Sequence, residues 1–321
     1  MPPPITDLRP FRLAMRQRFR GTTERQGVLL RGPAGWGEFS PFPEYGPGYA
    51  ARWLRAAQDA ATRPFPEPVR DRIPVNVTVP AVEPAAAHRL VSASGCATAK
   101  VKVAESGQDL ADDVERVAAV RDALGPDGAV RVDANAAWDV ATAVLAITRL
   151  DAAAQGLEYV EQPCRTLEEL GEVRRRVTVP LAADESVRTA EDPLHIAGLG
   201  AADLVVVKVQ PLGGVDRALE VVEAAGLPAV VSSALESSVG LAAGVALAAA
   251  LPDLPYACGL GTAAMFVGDV TDAPLLPVDG QVAVRRVEPD AALLDQQAPD
   301  PDTADELLTR MALAAAELEG C

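Results

Sequence analysis

The chain has 321 residues, of which 49% are hydrophobic and 23% are charged, and its formal net charge at pH 7 is −16. This length and composition predict a folded protein with room for one barrel-sized domain and a smaller one, and they exclude a disordered chain. The acidic balance disfavours nucleic acids and anionic membranes as partners, because their phosphate groups would be repelled.

Residues 1–72 predict a small α+β domain. Strands are expected at residues 11–16 and 27–32, and the polar segment between them, residues 20–26, has the composition of an exposed loop. Residues 35–43 are too rich in Gly and Pro for a regular element, and the apolar spacing of residues 49–62 predicts a helix.

From residue 73 to residue 280, short apolar runs alternate with stretches of helical periodicity. Eight runs predict strands, at residues 73–79, 98–103, 129–133, 157–161, 179–184, 203–208, 227–232 and 256–260. Strands that alternate with helices are typical of a parallel sheet, and eight of them favour a closed barrel over an open sheet.

The tail, residues 281–321, departs from this rhythm. It predicts a strand at residues 281–284, a linker at residues 298–302 and a helix that begins with a capping box at Thr303 and Glu306. We expect this tail to pack on the N-terminal domain or on the barrel. The four cysteines have neither metal-type nor redox-type spacing and no signal peptide is apparent, so reduced thiols and a cytoplasmic location are expected.

Charged side chains close or nearly close successive predicted strands, and each follows the last by about one strand–helix unit. A parallel barrel gathers the C-terminal ends of its strands at one face, so these residues are expected to converge there. The set consists of Lys100, Lys102, Asp133, Glu161, Asp184 and Lys208.

The three acids suit a hard divalent cation such as Mg²⁺, which prefers carboxylate oxygens. Lys100 and Lys102 stand two apart on one strand and therefore share a face. If that face is the barrel interior, like charge, burial and a nearby cation favour the neutral amine and a general base; if it faces water, Val101 and Val103 point inward instead.

Lys208 follows four apolar residues, which indicates either a site residue or a structural ion pair with Asp184 or Glu185. Ser232 and Ser233 end the seventh predicted strand and either donate hydrogen bonds to a substrate carboxylate or belong to a plain loop. Gly259, at the end of the eighth strand, would allow close approach of a substrate. His88 and His195 lie in helical stretches and are expected to be structural.

Together these residues predict abstraction of a proton α to a carboxylate, with a metal ion stabilising the enediolate as charge develops. An amine alone could not deprotonate so weak a carbon acid.

The strand-end motifs resemble those of the enolase superfamily, muconate-lactonising subgroup, and within it most closely the o-succinylbenzoate synthases of menaquinone biosynthesis. They are Thr98-Ala99-Lys100-Val101-Lys102, Asp133-Ala134-Asn135, Glu161-Gln162-Pro163, Asp184-Glu185-Ser186 and Lys208-Val209-Gln210. Trp36-Gly37-Glu38 and Trp138 support the likeness.

The resemblance implies a (β/α)7β TIM-like barrel, residues 73–280, under an α+β capping domain made from residues 1–72 and the tail, residues 281–321. It implies dehydration of 2-succinyl-6-hydroxy-2,4-cyclohexadiene-1-carboxylate to 2-succinylbenzoate. Segment 21–26 would cap the site.

The resemblance also implies a role for each site residue. Lys102 would be the base and then the acid, Lys208 would remain cationic, and Lys100 would contact the substrate carboxylate. Ser232, Ser233 and Gly259 would lie at the substrate, near its succinyl end in the case of the two serines. The metal ligands would be Asp133, Glu161 and Asp184, holding Mg²⁺, for which Mn²⁺ could substitute.

Other functions use the same residues. A racemase of N-succinylamino acids or an epimerase of dipeptides needs a base on each face of the substrate, and Lys102 with Lys208 would supply both. Cycloisomerisation of muconate-type substrates, a Schiff-base aldolase acting through Lys208 and a non-catalytic metal-binding barrel are remoter alternatives. The oligomeric state is not predicted.

Overall fold

The computed structural model describes residues 5–19, 21–189 and 198–319. His195, for which a structural role is expected, and Cys321 lie outside them. Three antiparallel strands, β1 (Asp7–Phe19), β2 (Thr22–Gly32) and β3 (Gly35–Phe39), form the N-terminal sheet in the order β1-β2-β3. Helix α1 (Pro47–Thr62) packs against this sheet through Trp53, Leu54 and Ala57.

Two expectations for this region are wrong. Residues 22–26 are not a loop but part of β2, where Leu13 pairs with Arg25 and Arg12 pairs with Gln26. Residues 35–39 form a strand despite their glycines, because Gly37 serves close packing: a Cβ there would lie 1.9 Å from the carbonyl oxygen of Ala57 in α1.

Seven parallel strands form the barrel sheet, and neighbours in the sheet are neighbours in sequence. They are β5 (Val77–Val79), β6 (Thr98–Lys102), β7 (Ala129–Asp133), β8 (Tyr159–Glu161), β9 (Leu181–Ala183), β10 (Leu204–Val207) and β11 (Ala229–Val231). The predicted first strand is divided, because β4 (Arg72–Pro74) pairs instead with the antiparallel β12 (Gln281–Ala283).

The predicted eighth strand closes the barrel through isolated parallel bridges. Cys258 bridges to Val75 and Gly259 bridges to Ser232. The amide of Cys258 donates to Pro74 O at 2.7 Å and that of Gly259 donates to Val231 O at 2.8 Å. Segment 258–259 therefore joins the two edges of the sheet, and the architecture is a barrel with a capping domain.

Helices follow the barrel strands and cover their outer faces. Those in the described residues are α2 (Pro84–Ser94), α3 (Leu110–Leu124), α4 (Val140–Ala154), α5 (Leu167–Arg174), α6 (Glu185–Thr189), α7 (Val209–Leu212), α8 (Val215–Ala225) and α9 (Ser238–Ala250), with a 3-10 turn at Thr262–Met265. Capping boxes at Asp109 and Thr166 fix the starts of α3 and α5. No helix in the described part of the chain is long and apolar enough to cross a membrane.

The tail contains α10 (Ala291–Gln296) and α11 (Pro301–Glu319). Helix α11 begins at Pro301 rather than at the expected Thr303, because Asp300 accepts from the amide of Thr303 at 3.0 Å and proline suits a first turn. Leu307 and Ala314 of α11 pack on Trp53 and Leu54. The capping domain is therefore β1–β3, α1 and α11, while the exact domain limits at 72/73 and 280/281 stay a prediction.

Candidate active site

Lys100 and Lys102 point into the barrel and are 6% and 8% exposed. Lys100 Nζ donates to both carboxylate oxygens of Glu161 at 2.8 Å and lies 3.3 Å from Asp133 Oδ2. Lys102 Nζ donates to Asp133 and, at 2.7 Å, to Asn135 Oδ1. The sequence left open whether Lys100 and Lys102 face the barrel interior or water, and in the structure they face the interior.

The three acids gather at one end of the sheet because their strands are parallel neighbours. Asp133 is the pairing partner of both Lys102 and Glu161, and Asp184 directly follows the next strand, β9. Lys100 contacts both Asp133 and Glu161, and all three acids are at most 1% exposed.

Lys208, after β10, donates to Asp184. The ion pair proposed as its alternative role is therefore present, but Lys208 also reaches the pocket described below. Lys100, Lys102 and Lys208 are the only lysines in the whole sequence.

Electrostatic interactions within the cluster determine how its groups titrate. Burial tends to lower the pKa of Lys100, but the charges of Glu161 and Asp133 outweigh burial, so its pKa is raised. Burial raises the pKa of Glu161 to about 7, with help from the charge of Asp133. Burial would also raise the pKa of Asp133, but Lys102 and Lys100 bring it well below its ordinary value. Lys100 is therefore held as an ammonium ion by its carboxylate partners, contrary to the neutral amine expected from crowding alone.

The donor set fits a hard divalent cation in chemical type. Mg²⁺ prefers carboxylate oxygens and usually takes one or two carboxylates from a protein, and three buried carboxylates lie close together here. Across the described ranges no three Asp, Glu, His or Cys side chains already surround a common point. An ammonium group contacts each of the three carboxylates, at Lys100–Glu161, Lys102–Asp133 and Lys208–Asp184. Binding a cation would require these ammonium groups to turn toward the pocket.

A pocket opens over this cluster between the barrel and the capping domain. Every predicted substrate-binding residue lines it, together with both predicted catalytic lysines, whereas Glu161 and Asp184 are not in its wall. The lining consists of Phe19, Phe42, Thr78, Lys100, Lys102, Asp133, Lys208, Ser232, Ser233, Ala234, Leu235, Gly259 and Thr262.

The segment predicted to cap the site contributes only at its start. Gly21 lines a second opening, together with Lys102, Asn135 and Phe19. The Lys102 ammonium lies 5.4 Å from the centre of the Phe19 ring, a cation–π distance. Phe19 therefore borders both openings, where sequence reasoning placed no site residue.

Gln162 is a further residue whose role sequence reasoning missed. Its Oε1 accepts from the amides of Asp184 at 2.8 Å and Ser186 at 3.2 Å, and its Nε2 donates to Ser186 Oγ at 2.7 Å. Gln162 is fully buried with φ +38°, so it fixes the turn that carries Asp184. The Glu-Gln-Pro motif named this residue, but only the fold reveals its partners.

Comparison with known families gives matches over most of the chain. Residues 83–290 match the "Enolase C-terminal domain-like" family and residues 11–61 match "Enolase N-terminal domain-like". The chain is 63% identical over 293 residues to o-succinylbenzoate synthase of Thermobifida fusca (strain YX), which covers 91% of this chain and 92% of that protein. It is 54% identical over 291 residues to o-succinylbenzoate synthase of Mycolicibacterium smegmatis, with 90% and 89% covered.

Solved structures share the fold at low identity. Muconate lactonizing enzyme from Pseudomonas fluorescens superposes with a TM-score of 0.78 at 20% identity, covering 93% of this chain and 100% of that one. N-succinyl Arg/Lys racemase from Bacillus cereus gives 0.78 at 21% identity, covering 91% and 96%. At these identities the likeness establishes the architecture alone.

Proposed function

The chain belongs to the enolase superfamily, in its o-succinylbenzoate synthase family, and we propose on that ground that it dehydrates 2-succinyl-6-hydroxy-2,4-cyclohexadiene-1-carboxylate to 2-succinylbenzoate. One observation carries the proposal: in a chain 63% identical to such a synthase, Lys102 and Lys208 line one pocket above three buried carboxylates. The enzyme is a carbon–oxygen lyase of menaquinone biosynthesis.

Lys102 is the proposed base. Its nitrogen takes the proton from the carbon α to the ring carboxylate, and the electron pair of that C–H bond moves onto the carboxylate as an enediolate. Lys102 then returns the proton to the departing hydroxyl group, so that water leaves and the ring becomes aromatic. The contact from Lys102 to Asn135 Oδ1 at 2.7 Å holds the nitrogen at the pocket wall for both steps.

Negative charge on the substrate carboxylate must be stabilised as the proton leaves. Asp133, Glu161 and Asp184 would hold Mg²⁺ or Mn²⁺, and a bound divalent cation supplies Lewis-acid stabilisation of carboxylate charge. As the family resemblance implies, Lys208 stabilises the developing charge, and Lys100 contacts the substrate carboxylate.

The remaining substrate contacts lie on the far side of the pocket. Ser232 and Ser233 offer hydroxyl groups to the succinyl end, and Ser233 Oγ lies 2.8 Å from Thr262 Oγ1, which orients it. Gly259 leaves room beside Ser232, because a Cβ there would lie 2.4 Å from Ser232 Oγ.

The proposed setting is the cytoplasm. The three cysteines in the described ranges, Cys96, Cys164 and Cys258, are free and buried, as expected for a protein kept in a reducing compartment. The partner is a small carboxylate substrate, not a nucleic acid or a membrane, which agrees with the net charge of −16.

Racemisation of N-succinylamino acids, or epimerisation of dipeptides, is the second candidate. Both Lys102 and Lys208 line the same pocket, which favours it, because proton transfer at both faces of a substrate needs two bases.

The two functions separate in a single experiment in deuterated water. The purified protein with Mg²⁺ is offered the cyclohexadiene substrate and, in parallel, N-succinylamino acids, and 2-succinylbenzoate formation is compared with α-deuterium incorporation. We expect dehydration to be much the faster reaction. The absence of dehydration by the wild-type protein would overturn the proposal.

The base assignment has its own variants. Lys102→Arg keeps a positive charge beside Asp133 but cannot serve as a base at neutral pH, so turnover should fall by about 10²- to 10⁴-fold while the fold is retained. Lys208→Ala should lose turnover as well but should retain slow α-exchange catalysed by Lys102. Substantial dehydration by Lys102→Arg would exclude Lys102 as the base.

A further inference from the structure

Arg25 of β2 is an arginine buried at the junction between the capping domain and the barrel, where it is 3% exposed. Its Nε donates to Leu235 O at 3.2 Å, and its Nη2 donates to Ala234 O at 3.4 Å and to Ser40 O. The guanidinium carbon lies 4.0 Å from the centre of the Phe42 ring. One side chain thus joins two segments of the capping domain to the loop after β11.

Three of the residues that Arg25 touches, Phe42, Ala234 and Leu235, line the pocket, whereas Arg25 itself does not. Leu235 has φ +62°, a left-handed conformation that is unfavourable for a residue with a branched side chain. Such a conformation persists only where the surrounding contacts hold it. The Arg25 guanidinium supplies such contacts by donating to the consecutive carbonyls of Ala234 and Leu235 from the side away from the pocket.

The charge of Arg25 is balanced inside this junction. Burial lowers its pKa to about 10, against the raising effect of Glu38 and Glu236, so it remains charged at neutral pH. Glu236 Oε2 accepts from the amide of Ala234 at 2.8 Å, and Glu38 Oε2 accepts from the amide of Ser237 at 3.1 Å. The acids therefore hold the amides of the loop that carries the wall while Arg25 holds its carbonyls.

We propose that Arg25 is a positioning residue that fixes the wall formed by Ala234 and Leu235 and thereby sets how tightly the pocket holds the part of the substrate remote from Lys102. This inference rests on the proposed function for the nature of the substrate. Because Arg25 does not contact the lysines or the carboxylates, its loss should weaken binding and leave the chemical step nearly intact.

The test compares Arg25→Gln and Arg25→Lys with Arg121→Gln. Arg121 is a matched control, since it is also buried, at 7% exposed, and also donates to backbone carbonyls, those of Gly125 at 2.8 Å and Gly128 at 2.6 Å, but it lines no part of the pocket. Arg25→Lys keeps the positive charge but lacks the guanidinium that donates to two carbonyls, so it separates the effect of geometry from that of charge. It also replaces Arg25→Gln in the test if that variant does not fold.

For Arg25→Gln we expect KM for the cyclohexadiene, and Kd for 2-succinylbenzoate, to rise about tenfold, equivalent to about 1.4 kcal/mol, with kcat within about twofold of wild type. Arg25→Lys should show the same split, because a single ammonium group cannot bridge consecutive carbonyls as the guanidinium does. Arg121→Gln should lower the melting temperature without changing KM. Equal KM and Kd in Arg25→Gln and wild type, or an equal rise in the Arg121 control, would overturn the proposal.

Backbone hydrogen exchange needs no substrate, so it tests the role of Arg25 independently of the proposed function. Backbone hydrogen exchange in peptides covering residues 232–237 should be faster in Arg25→Gln than in wild type, and unchanged in Arg121→Gln. If wild type fails to dehydrate the cyclohexadiene while exchange responds as stated, the proposed function is wrong and the wall assignment stands. Unchanged exchange at residues 232–237 would refute the wall assignment whatever the activity.

Discussion

Glu38 is a buried carboxyl group at the cap–barrel junction, and its replacement by glutamine should make stability less dependent on pH. The carboxylate of Glu38 accepts from the amides of Ser237 and Gly240, both at 3.1 Å, at the N-terminus of α9. These bonds favour the ionised form, as does Arg25, but burial outweighs them and raises the pKa of Glu38 to about 7 from an ordinary value of 4.5.

The sign follows from proton binding in the two states. Between pH 4.5 and pH 7 the folded protein keeps a proton on Glu38 that the unfolded chain has lost, so the stability that this proton provides is present below pH 4.5 and is lost as pH rises through 7. The shift from 4.5 to about 7 spans 2.5 pKa units, which at 1.36 kcal/mol per unit corresponds to about 3 kcal/mol for the full change. Between pH 5 and pH 8.5 most of that change should be observed.

The assay is urea denaturation of wild type and Glu38→Gln at steps from pH 5 to pH 8.5, with chelator present and ionic strength fixed. The free energy of unfolding of the variant minus that of wild type should increase by about 2 to 3 kcal/mol across this range. Glu161, whose pKa is also raised to about 7, is present in both proteins and cancels in the difference. A difference that stays flat, or that falls as pH rises, would refute the reasoning that burial controls this group.

Two glycine substitutions test the packing of the cap and of the pocket separately. Gly37→Ala places a Cβ 1.9 Å from Ala57 O, a backbone atom of α1, so it should lower the free energy of unfolding by about 3 kcal/mol or more in urea melts, and a wild-type midpoint would contradict this packing. Gly259→Ala places a Cβ 2.4 Å from the hydroxyl of Ser232 and 3.1 Å from Ser232 Cβ, so the rotatable hydroxyl must turn away. The protein should still fold, while KM rises about fivefold, the equivalent of one hydrogen bond of about 1 kcal/mol. An unchanged KM would remove Ser232 from the proposed substrate contacts.

The clustering of the candidate site residues could be predicted from sequence, because these residues close parallel strands and the geometry of a barrel brings strand ends together. Lys102, Asp133 and Glu161 are paired in register, as that argument requires. Its electrostatics could not be predicted, since the pKa of Lys100 depends on contacts at 2.8 Å with Glu161 rather than on the presence of a second lysine nearby.

Errors arose where a residue's partners are distant backbone atoms. Residues 20–26 have the composition of a polar loop, but two carbonyl partners of Arg25, those of Ala234 and Leu235, lie 209 and 210 positions away on a loop that only the folded barrel brings near. Gly37 looked like an interruption, although its missing side chain is what admits α1. Local composition shows how polar such residues are, but it does not show which distant part of the chain they pack against.

The confinement of lysine to the pocket gives the molecule an unusual chemical surface. Apart from the N-terminal amine, every primary amine of the chain belongs to Lys100, Lys102 or Lys208, and each of these side chains is at most 8% exposed. Amine-directed acylating, methylating or crosslinking reagents therefore find no lysine target on the outside of the protein. The rate at which such reagents consume lysine therefore measures access to the pocket itself.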